Sequence, residues 1–292
     1  MDRVSHMVTA LKGLNIPTNM NPPDGMFGQD ITIQSGGVTI SNKDLDCEFT
    51  IPFSDDLEAD EAEIIIYNLS QSTISQLKYN AVITVTAGYS GDTGVIFNGR
   101  IASVKTKHVG VDKQTVIKAL DANGLEDQEL ESIAYKSGST AGYILKDLLG
   151  KFKVPIAKFE PRKDYTYKKA VNVEGSLKEN VKKFAEMCGV TIYFNKGKLY
   201  ARWITDGDNI NFTVEENTGL IGSPEEFEET VTNENDEEET LHGYKVTMLL
   251  QHRITTAAII NLKSVDVSGQ FRVRSGTHTF DGDNFYTEVE VI

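Results

Sequence analysis

The 292-residue sequence predicts a mainly β protein of the α+β class, in which two β-rich domains flank a small α/β domain. Short runs rich in Val, Ile, Thr, Tyr and Phe, separated by Gly, Asn and Asp, fill residues 28–122 and return over 204–292. Between them, over 123–203, helical and strand patterns alternate. This length suffices for about two domains of ordinary size, each with its own core.

The overall composition is that of a soluble globular protein, with 39% hydrophobic and 25% charged residues. No run approaches the roughly 18 apolar residues that a membrane-spanning helix needs, so we expect no membrane anchor. The first twelve residues mix charged side chains into a weak apolar pattern, unlike a signal peptide. If the protein leaves its cell, we therefore expect it to leave by lysis or as part of a particle.

The net charge of −14 and the pI near 4.8 argue against nucleic-acid binding, which requires a basic surface. The acids are concentrated between Thr205 and Tyr244, where no Lys or Arg occurs. Such a block is usually a solvated loop, so we predict an acidic interaction loop over 225–240. Its candidate contact residues are Glu234, Asp236, Glu237, Glu238 and Glu239.

Residues 1–27 are irregular and are predicted to form an N-terminal arm, with Pro17, Pro22 and Pro23 after one or two possible helical turns. Such an arm either docks on a neighbouring subunit or frays, and fraying is the commoner outcome for chain ends. If it docks, Met7 and Leu11 are the candidate intersubunit contacts.

The first β-rich domain, 28–122, contains runs that suit a sandwich or a barrel. Val82, Thr84 and Thr86 alternate with an apolar set, as a half-buried strand demands. The predicted strands are Asp30–Gln34, Val38–Ser41, Asp46–Phe53, Glu63–Tyr67, Ala81–Tyr89, Gly94–His108 and Gln114–Ala119. A short helix over Ser70–Tyr79, with Ile74 and Leu77 three apart on one face, should plug one end.

Two helices are predicted in the α/β domain, 123–203. Ser139 is the expected N-cap of the first, which ends near Gly150. Ser176 and Glu179 form a capping box for the second, and Gly189 follows it as the stop signal. Strands Val190–Phe194 and Lys198–Trp203 then form a hairpin around Asn195-Lys196-Gly197.

The second β-rich domain, 204–292, repeats the strand pattern of the first. Tyr244, Val246, Met248 and Leu250 share one predicted buried face. The strands are expected at Asn209–Val214, Tyr244–Leu250, Ala257–Leu262, Gly269–Ser275 and Tyr286–Val291.

The sequence offers little to support catalysis. The five histidines show no metalloprotease spacing, and neither a nucleophile elbow nor a phosphate-binding loop occurs. The best metal candidate is His278 with Asp281 and Asp283, but a solvated turn explains these residues better. Cys47 and Cys188 are predicted to be reduced and buried. We therefore predict no catalytic residue, no cofactor and no metal.

Two other clusters have a structural and a functional interpretation. The aromatic cluster of Tyr165, Tyr167, Tyr193, Phe194, Tyr200 and Trp203 could be a sugar platform, but strand aromatics more often form core or interface. The basic cluster of Lys151, Lys153, Lys158, Arg162, Lys163, Lys168 and Lys169 is a solvated face or a seat for the acidic block of this or a neighbouring subunit.

Several runs, in this order, resemble the baseplate hub proteins of contractile phage tails, in particular the XkdQ-type and late-control D-type hubs. In the first domain they are Ile66-Tyr67-Asn68-Leu69-Ser70, Ala87-Gly88-Tyr89 and Ile96-Phe97-Asn98-Gly99-Arg100-Ile101. The link into the second domain of these hubs is similar to Asn217-Thr218-Gly219-Leu220-Ile221-Gly222-Ser223-Pro224. The closing hairpin of that domain is similar to Gly269-Gln270-Phe271-Arg272-Val273 with Thr277-His278 and Asp281.

This resemblance covers most of the chain beyond Phe27 and implies that the two β-rich domains are β-barrel-like. It further implies a homotrimer that adapts the sixfold tail tube to the threefold central spike, in a phage or a tail-like bacteriocin whose subunits are made in the bacterial host cytoplasm. In such a trimer, Ile74, Leu77 and Tyr79 of the predicted helix Ser70–Tyr79 are candidate intersubunit contacts. Tube or tube-initiator protein and spike protein are the expected partners, with the tape measure protein and the baseplate wedge as further ones. The sequence ends at Ile292 without a lytic or needle domain, so we expect puncturing to belong to a partner.

Two other functions stay open at this stage. One is a tail-associated peptidoglycan hydrolase, which the shortage of catalytic groups disfavours. The other is a host cell-wall binding module that uses the aromatic residues around Trp203.

Overall fold

A computed structural model describes residues 28–121, 128–232 and 238–292. The mainly β, α+β fold class is confirmed. Several predicted contact residues lie outside the described residues, namely Met7, Leu11, Glu234, Asp236 and Glu237. None of the helices in the described ranges combines the length and the apolar character needed to cross a membrane.

The first seven strands, here called the first β group, agree with the sequence prediction to within about two residues at each end. The elements are β1 (Gln29–Ser35), β2 (Val38–Ser41), β3 (Cys47–Phe53), β4 (Glu61–Tyr67), α1 (Gln71–Ile74), β5 (Val82–Tyr89), β6 (Asp92–Val109) and β7 (Asp112–Leu120). All neighbours are antiparallel, in the order β2-β1-β5-β6-β7-β4-β3. A register shift between Ile101 and Ser103 lets the long strand β6 bend while it pairs with both β5 and β7.

The mixed group that follows contains strands that the sequence pattern did not reveal. Its elements are β8 (Glu129–Tyr135), α2 (Ala141–Gly150), β9 (Ile156–Phe159), β10 (Val171–Ser176), α3 (Leu177–Cys188), β11 (Thr191–Asn195) and β12 (Lys198–Arg202). Strands β8, β9 and β10 were missed because they are short or largely exposed, so their apolar alternation is weak. The predicted hairpin is confirmed as β11–β12.

The two long helices begin and end by local signals. The N-cap of α2 is Thr140 and not Ser139, because the Thr140 hydroxyl accepts from the Tyr143 amide at 3.2 Å. For α3 the predicted N-cap and the predicted stop are confirmed: the Ser176 hydroxyl accepts from the Glu179 amide at 3.1 Å, and Gly189 closes the helix at φ 61°.

The remaining strands are called the second β group. They are β13 (Asp208–Val214), β14 (Leu220–Thr232), β15 (Glu238–Leu249), β16 (Ala258–Lys263), β17 (Ser268–Phe280) and β18 (Phe285–Val291), with a 3₁₀ turn at Glu216–Thr218. The predicted acidic loop 225–240 is wrong over 225–232 and 238–240, which belong to the paired strands β14 and β15. Both faces of this hairpin are largely polar, so the apolar alternation that marks a strand is absent.

The two β groups form one hydrogen-bonded sheet. Strand β17 pairs antiparallel with β3, from Gly276 opposite Phe53 to Phe280 opposite Phe49. Thirteen strands of the described chain are thereby joined. The first hydrophobic core also takes in second-group residues, which are Leu249, Leu250, Phe280, Phe285 and Tyr286. The sheet and this core therefore both cross the junction between the groups.

Candidate assembly surfaces

The run Tyr67-Asn68-Leu69-Ser70 ends β4 and sets the following turn. The Tyr67 hydroxyl donates to Glu48 at 2.6 Å, and Leu69 is buried in the first core. Asn68 adopts a left-handed φ of 56° and exchanges hydrogen bonds with the start of β7. Ser70 caps α1 through the Thr73 amide at 3.1 Å. This motif therefore positions α1 and the segment after it at one end of the first β group.

Aromatic side chains from both β groups meet at the junction. Tyr89, at the end of the Ala87-Gly88-Tyr89 run, contacts the edge of Phe285 with ring centroids 5.3 Å apart. Phe285 packs in turn on Phe280 at 5.5 Å and on Phe49 at 6.4 Å. These contacts each add about 0.5–1.5 kcal/mol beyond area burial. The two groups should consequently move as one body.

A buried ion-pair cluster lies beside this junction. One oxygen of Asp55, in the loop after β3, accepts from Arg272 Nη1 and from Arg274 Nε, each at 2.6 Å. Arg274 Nη1 also donates to Glu229 on β14 at 2.6 Å. Asp55 and Arg272 are 4% and 3% exposed, so neither charge is solvated by bulk water. Sequence reasoning missed this cluster, because an Asp in a loop and Arg in a strand carry no mark of pairing 217 residues apart.

The predicted aromatic cluster is partly internal, because Tyr193 and Phe194 are buried whereas Tyr165 is 52% exposed. Tyr193 and Tyr200 stack in parallel with ring centroids 5.1 Å apart, as neighbours across the β11–β12 hairpin. Arg272 lies over Tyr193 at 5.9 Å and Arg202 over Tyr200 at 5.2 Å. The cluster thus joins the mixed group to β17, which fits the core interpretation better than a sugar platform.

Trp203 lies apart from this stack. It is half-buried, and the Arg162 guanidinium lies over its ring at 5.3 Å. The indole face is therefore already in contact with a cation from the same chain.

The candidate metal residues are not brought together. His278 is fully buried and shares a hydrogen bond with Thr287 at 2.9 Å, and burial lowers the pKa of His278 to about 3. Asp281 instead accepts from the amides of Asp283 and Asn284 and shapes an exposed turn. Across the described residues, no cluster of three or more His, Cys, Asp or Glu has the arrangement of a metal site.

Of the candidate intersubunit contacts near α1, only one is prominently exposed. Leu77 is 6% exposed in the first core, and Ile74 packs against that core while half-buried. Leu77 is thus used within its own subunit. Tyr79 is 78% exposed and remains available as a contact.

The acidic residues lie on an antiparallel ribbon. β18 pairs with β15 only as far as Tyr244, so beyond that point β14 and β15 pair with each other alone. Glu226 and Glu228 lie on one exposed face, at 3.7 and 3.5 Å from His242 Nδ1. Glu238, the described member of the predicted contact set whose side chain is placed, is exposed. The ribbon therefore presents an exposed acidic face.

The predicted basic cluster is spread over several ion pairs and one groove. Lys151 lies 3.8 Å from Asp147, Lys158 contacts Asp208 at 3.4 Å and Arg162 contacts Asp206 at 2.6 Å. Lys151 and Lys153 also line a groove with Arg100, next to the strand ends of the first β group.

Comparisons with known proteins show what the fold resembles. No protein-family model and no curated protein sequence matches the chain. Among solved structures, a 43 kDa tail protein of the Shewanella oneidensis prophage MuSo2 superposes with a TM-score of 0.64 at 9% identity, over 91% of this chain and 97% of that one. A tail protein of Neisseria meningitidis superposes with a TM-score of 0.61 at 9% identity, over 91% and 96%.

A third similar structure belongs to another system. It is the Escherichia coli c3393 protein, with a TM-score of 0.58 at 9% identity. That protein is a component of the type VI secretion system and exhibits structural similarity to the T4 bacteriophage tail proteins gp27 and gp5. The match covers 89% of this chain and 76% of that protein. At such identity the likeness shows a shared fold, and this fold extends over most of each chain.

Proposed function

We propose that the chain is a non-enzymatic structural subunit of a phage tail or tail-like particle, and more specifically a baseplate hub subunit. The observation that carries this proposal is the whole-chain likeness to the Shewanella tail protein, which extends over 91% of this chain and 97% of that one. A fold shared over most of both chains, and not over one domain alone, supports an analogous architectural role as an inference from the fold.

The architecture suits a mechanical part. Continuous pairing of β3 with β17 and the aromatic contacts around Phe285 join the two β groups. The buried Asp55–Arg272 ion pair adds a directional link at the same place. A subunit whose two β groups are joined in this way suits the transmission of force between them.

The finer proposal concerns symmetry. We take residues 28–122 and 204–292 as two barrel-like domains around the α/β domain 123–203, so that a homotrimer presents six similar units to a sixfold tube and three subunits to a spike. Ring closure needs heterologous contacts, with the open edges of β2 and β14 covered by neighbours. Exposed Tyr79 is the candidate contact next to α1.

The partners in this proposal are the tail tube or tube-initiator protein and the central spike protein, with the tape measure protein and baseplate wedge nearby. Its location is the baseplate of the virion or tail-like particle. No cofactor is assigned to the subunit.

Electron cryo-microscopy of purified particles that carry an epitope-tagged copy tests this proposal. We expect the tag at the tube tip, with three copies around the axis. Tag density elsewhere on the particle, or sixfold occupancy, would contradict the hub role. A zymogram on peptidoglycan with lysozyme as the positive control should show no clearing, and clearing by the purified chain would favour a hydrolase.

A further inference from the structure

We propose that the acidic β14–β15 ribbon of one copy docks in a cationic groove on a second copy of this chain. The inference rests on the proposed homo-oligomer and identifies the contact surfaces within it. Three observations support it: the segregation of charge along the chain, the exposed face of the ribbon, and the shape and lining of the groove.

Charge is strongly segregated within the sequence. Residues 129–203 hold fifteen Lys and Arg against eight Asp and Glu, although the whole chain has a net charge of −14. Residues 204–292 hold five Lys and Arg against eighteen Asp and Glu. Two copies can therefore place the basic part of one beside the acidic part of the other, which favours association and fixes its orientation.

The ribbon presents its carboxylates outward. Glu229, on one face, is held by Arg274 at the base of the ribbon. Glu226 and Glu228, on the other face, are more than half exposed, and their closest described basic group is His242. Beyond Tyr244 the described ribbon has two strands, and a surface that covers this part would bury it and so add to its stability.

The groove lies between the strand ends of the first β group and the segment after α2, and has a volume of about 490 Å³. Val82, 47% exposed, and Pro155 provide apolar lining. Three basic residues, Arg100, Lys151 and Lys153, line it against one acid, Asp121, which is 8% exposed, so the lining carries net positive charge. Positive charge around an apolar lining suits the exposed carboxylates of Glu226 and Glu228, which lie on one face of β14, whereas Phe227 lies on the opposite face.

The contact joins two copies because the single chain does not make it. Among the described residues, no ion pair connects the ribbon acids with Arg100, Lys151 or Lys153. Among the described residues of one copy, the ribbon and the groove therefore form ion pairs with other groups but not with each other. Surfaces of this kind form a heterologous contact, which closes into a ring when the rotation between copies allows it.

A charge-swap experiment on the full chain tests the proposal. Mass is measured by analytical ultracentrifugation over a range of protein and salt concentrations. Lys151→Glu with Lys153→Glu reverses the charge of these two groove positions, and Glu226→Lys with Glu228→Lys reverses the charge of the exposed ribbon face. We expect each pair to weaken self-association by about tenfold or more, and salt to weaken the wild-type association. The chain that carries all four substitutions has complementary surfaces again and should recover association.

Lys168→Glu with Lys169→Glu is the matched control, since it makes the same charge change at exposed positions outside the groove. This control should associate like the wild type, and circular dichroism should show every variant folded. A monomeric wild-type chain, equal weakening by the control, or no recovery in the fourfold variant would overturn the proposal. If the groove variant loses self-association and the fourfold variant does not recover it, the groove binds a different acidic partner, and this result also overturns the proposal. A trimer that is indifferent to all these charges would refute this contact while leaving the hub proposal intact.

Discussion

Asp55 and Arg272 form a buried ion pair, with 2.6 Å between Asp55 Oδ2 and Arg272 Nη1. The same carboxylate oxygen accepts from Arg274, so one buried acid holds two guanidinium groups of β17. Asp55 follows β3, the strand that pairs with β17. The ion pairs and the strand pairing therefore fix the same junction between the two β groups.

Removing the charge of Asp55 should destabilise the fold strongly. Asp55→Asn leaves the guanidinium of Arg272 buried without its counter-ion, which costs roughly 3–5 kcal/mol. Urea unfolding followed by circular dichroism measures the change. Asp56→Asn, at the exposed neighbouring position, is the control and should change the free energy of unfolding by less than about 0.5 kcal/mol. Equal effects of the two substitutions would show that the buried pair adds little.

The buried His278 should make stability fall in acid. Burial lowers the pKa of His278 from 6.5 to about 3, so between these values the unfolded chain binds a proton that the folded chain does not. The free energy of unfolding should therefore fall as the pH drops from about 6.5 towards 3, by up to about 1.4 kcal/mol per pH unit from this group. Urea unfolding at several pH values should show a shallower slope for His278→Gln. His108→Gln, at an exposed position in β6, should retain the wild-type slope.

Gly276 permits the close approach of β3 and β17. A methyl group at this position would lie 2.5 Å from Phe53 Cζ and 2.5 Å from the Glu288 carbonyl oxygen. Gly276→Ala should therefore lower the free energy of unfolding by about 1–3 kcal/mol. Gly150→Ala, at the end of α2 with no atom near the added methyl, should be neutral or stabilise by up to about 1 kcal/mol. A thermal melt of both variants checks this, and a stable Gly276→Ala would mean that the junction shifts easily.

Both cysteines should be unreactive in the folded protein. Burial raises the pKa of Cys47 to about 12 and that of Cys188 to about 11, so little thiolate forms near neutral pH. Ellman's reagent should detect no thiol in the native chain and two after unfolding in guanidinium. Val111→Cys adds a thiol at a fully exposed turn and should react at once as a positive control. Rapid native reaction of a wild-type thiol would indicate local opening around it.

Elements with strong local signals could be predicted from the sequence. The alternation over Val82–Tyr89 follows from one buried face, and the ends of α3 follow from the hydroxyl of Ser176 and the left-handed backbone of Gly189. These signals act between residues a few positions apart. They determine the identity of an element wherever it lies in the fold.

The candidate assembly surfaces could be predicted only in part. The acidic residues near Glu228 and the basic residues near Lys151 are visible as composition, but composition does not distinguish a loop from a ribbon. The ribbon was mistaken for a loop because a hairpin that is solvated on both faces has no apolar period to reveal it. The groove beside Lys153 depends on residues far apart in the sequence, such as Val82 and Pro155.

By itself the sequence determined a mainly β chain with a mixed middle, the two helix caps of α3, two buried thiols and a separation of acidic from basic residues. Only the tertiary structure decided that β3 pairs with β17, that Asp55 meets Arg272, and that Leu77 faces its own core while Tyr79 faces outward. The physical reason is the distance along the chain over which each kind of interaction acts. Caps and alternation are encoded by neighbours in the chain, whereas a contact across 217 residues is selected by the packing of the whole protein.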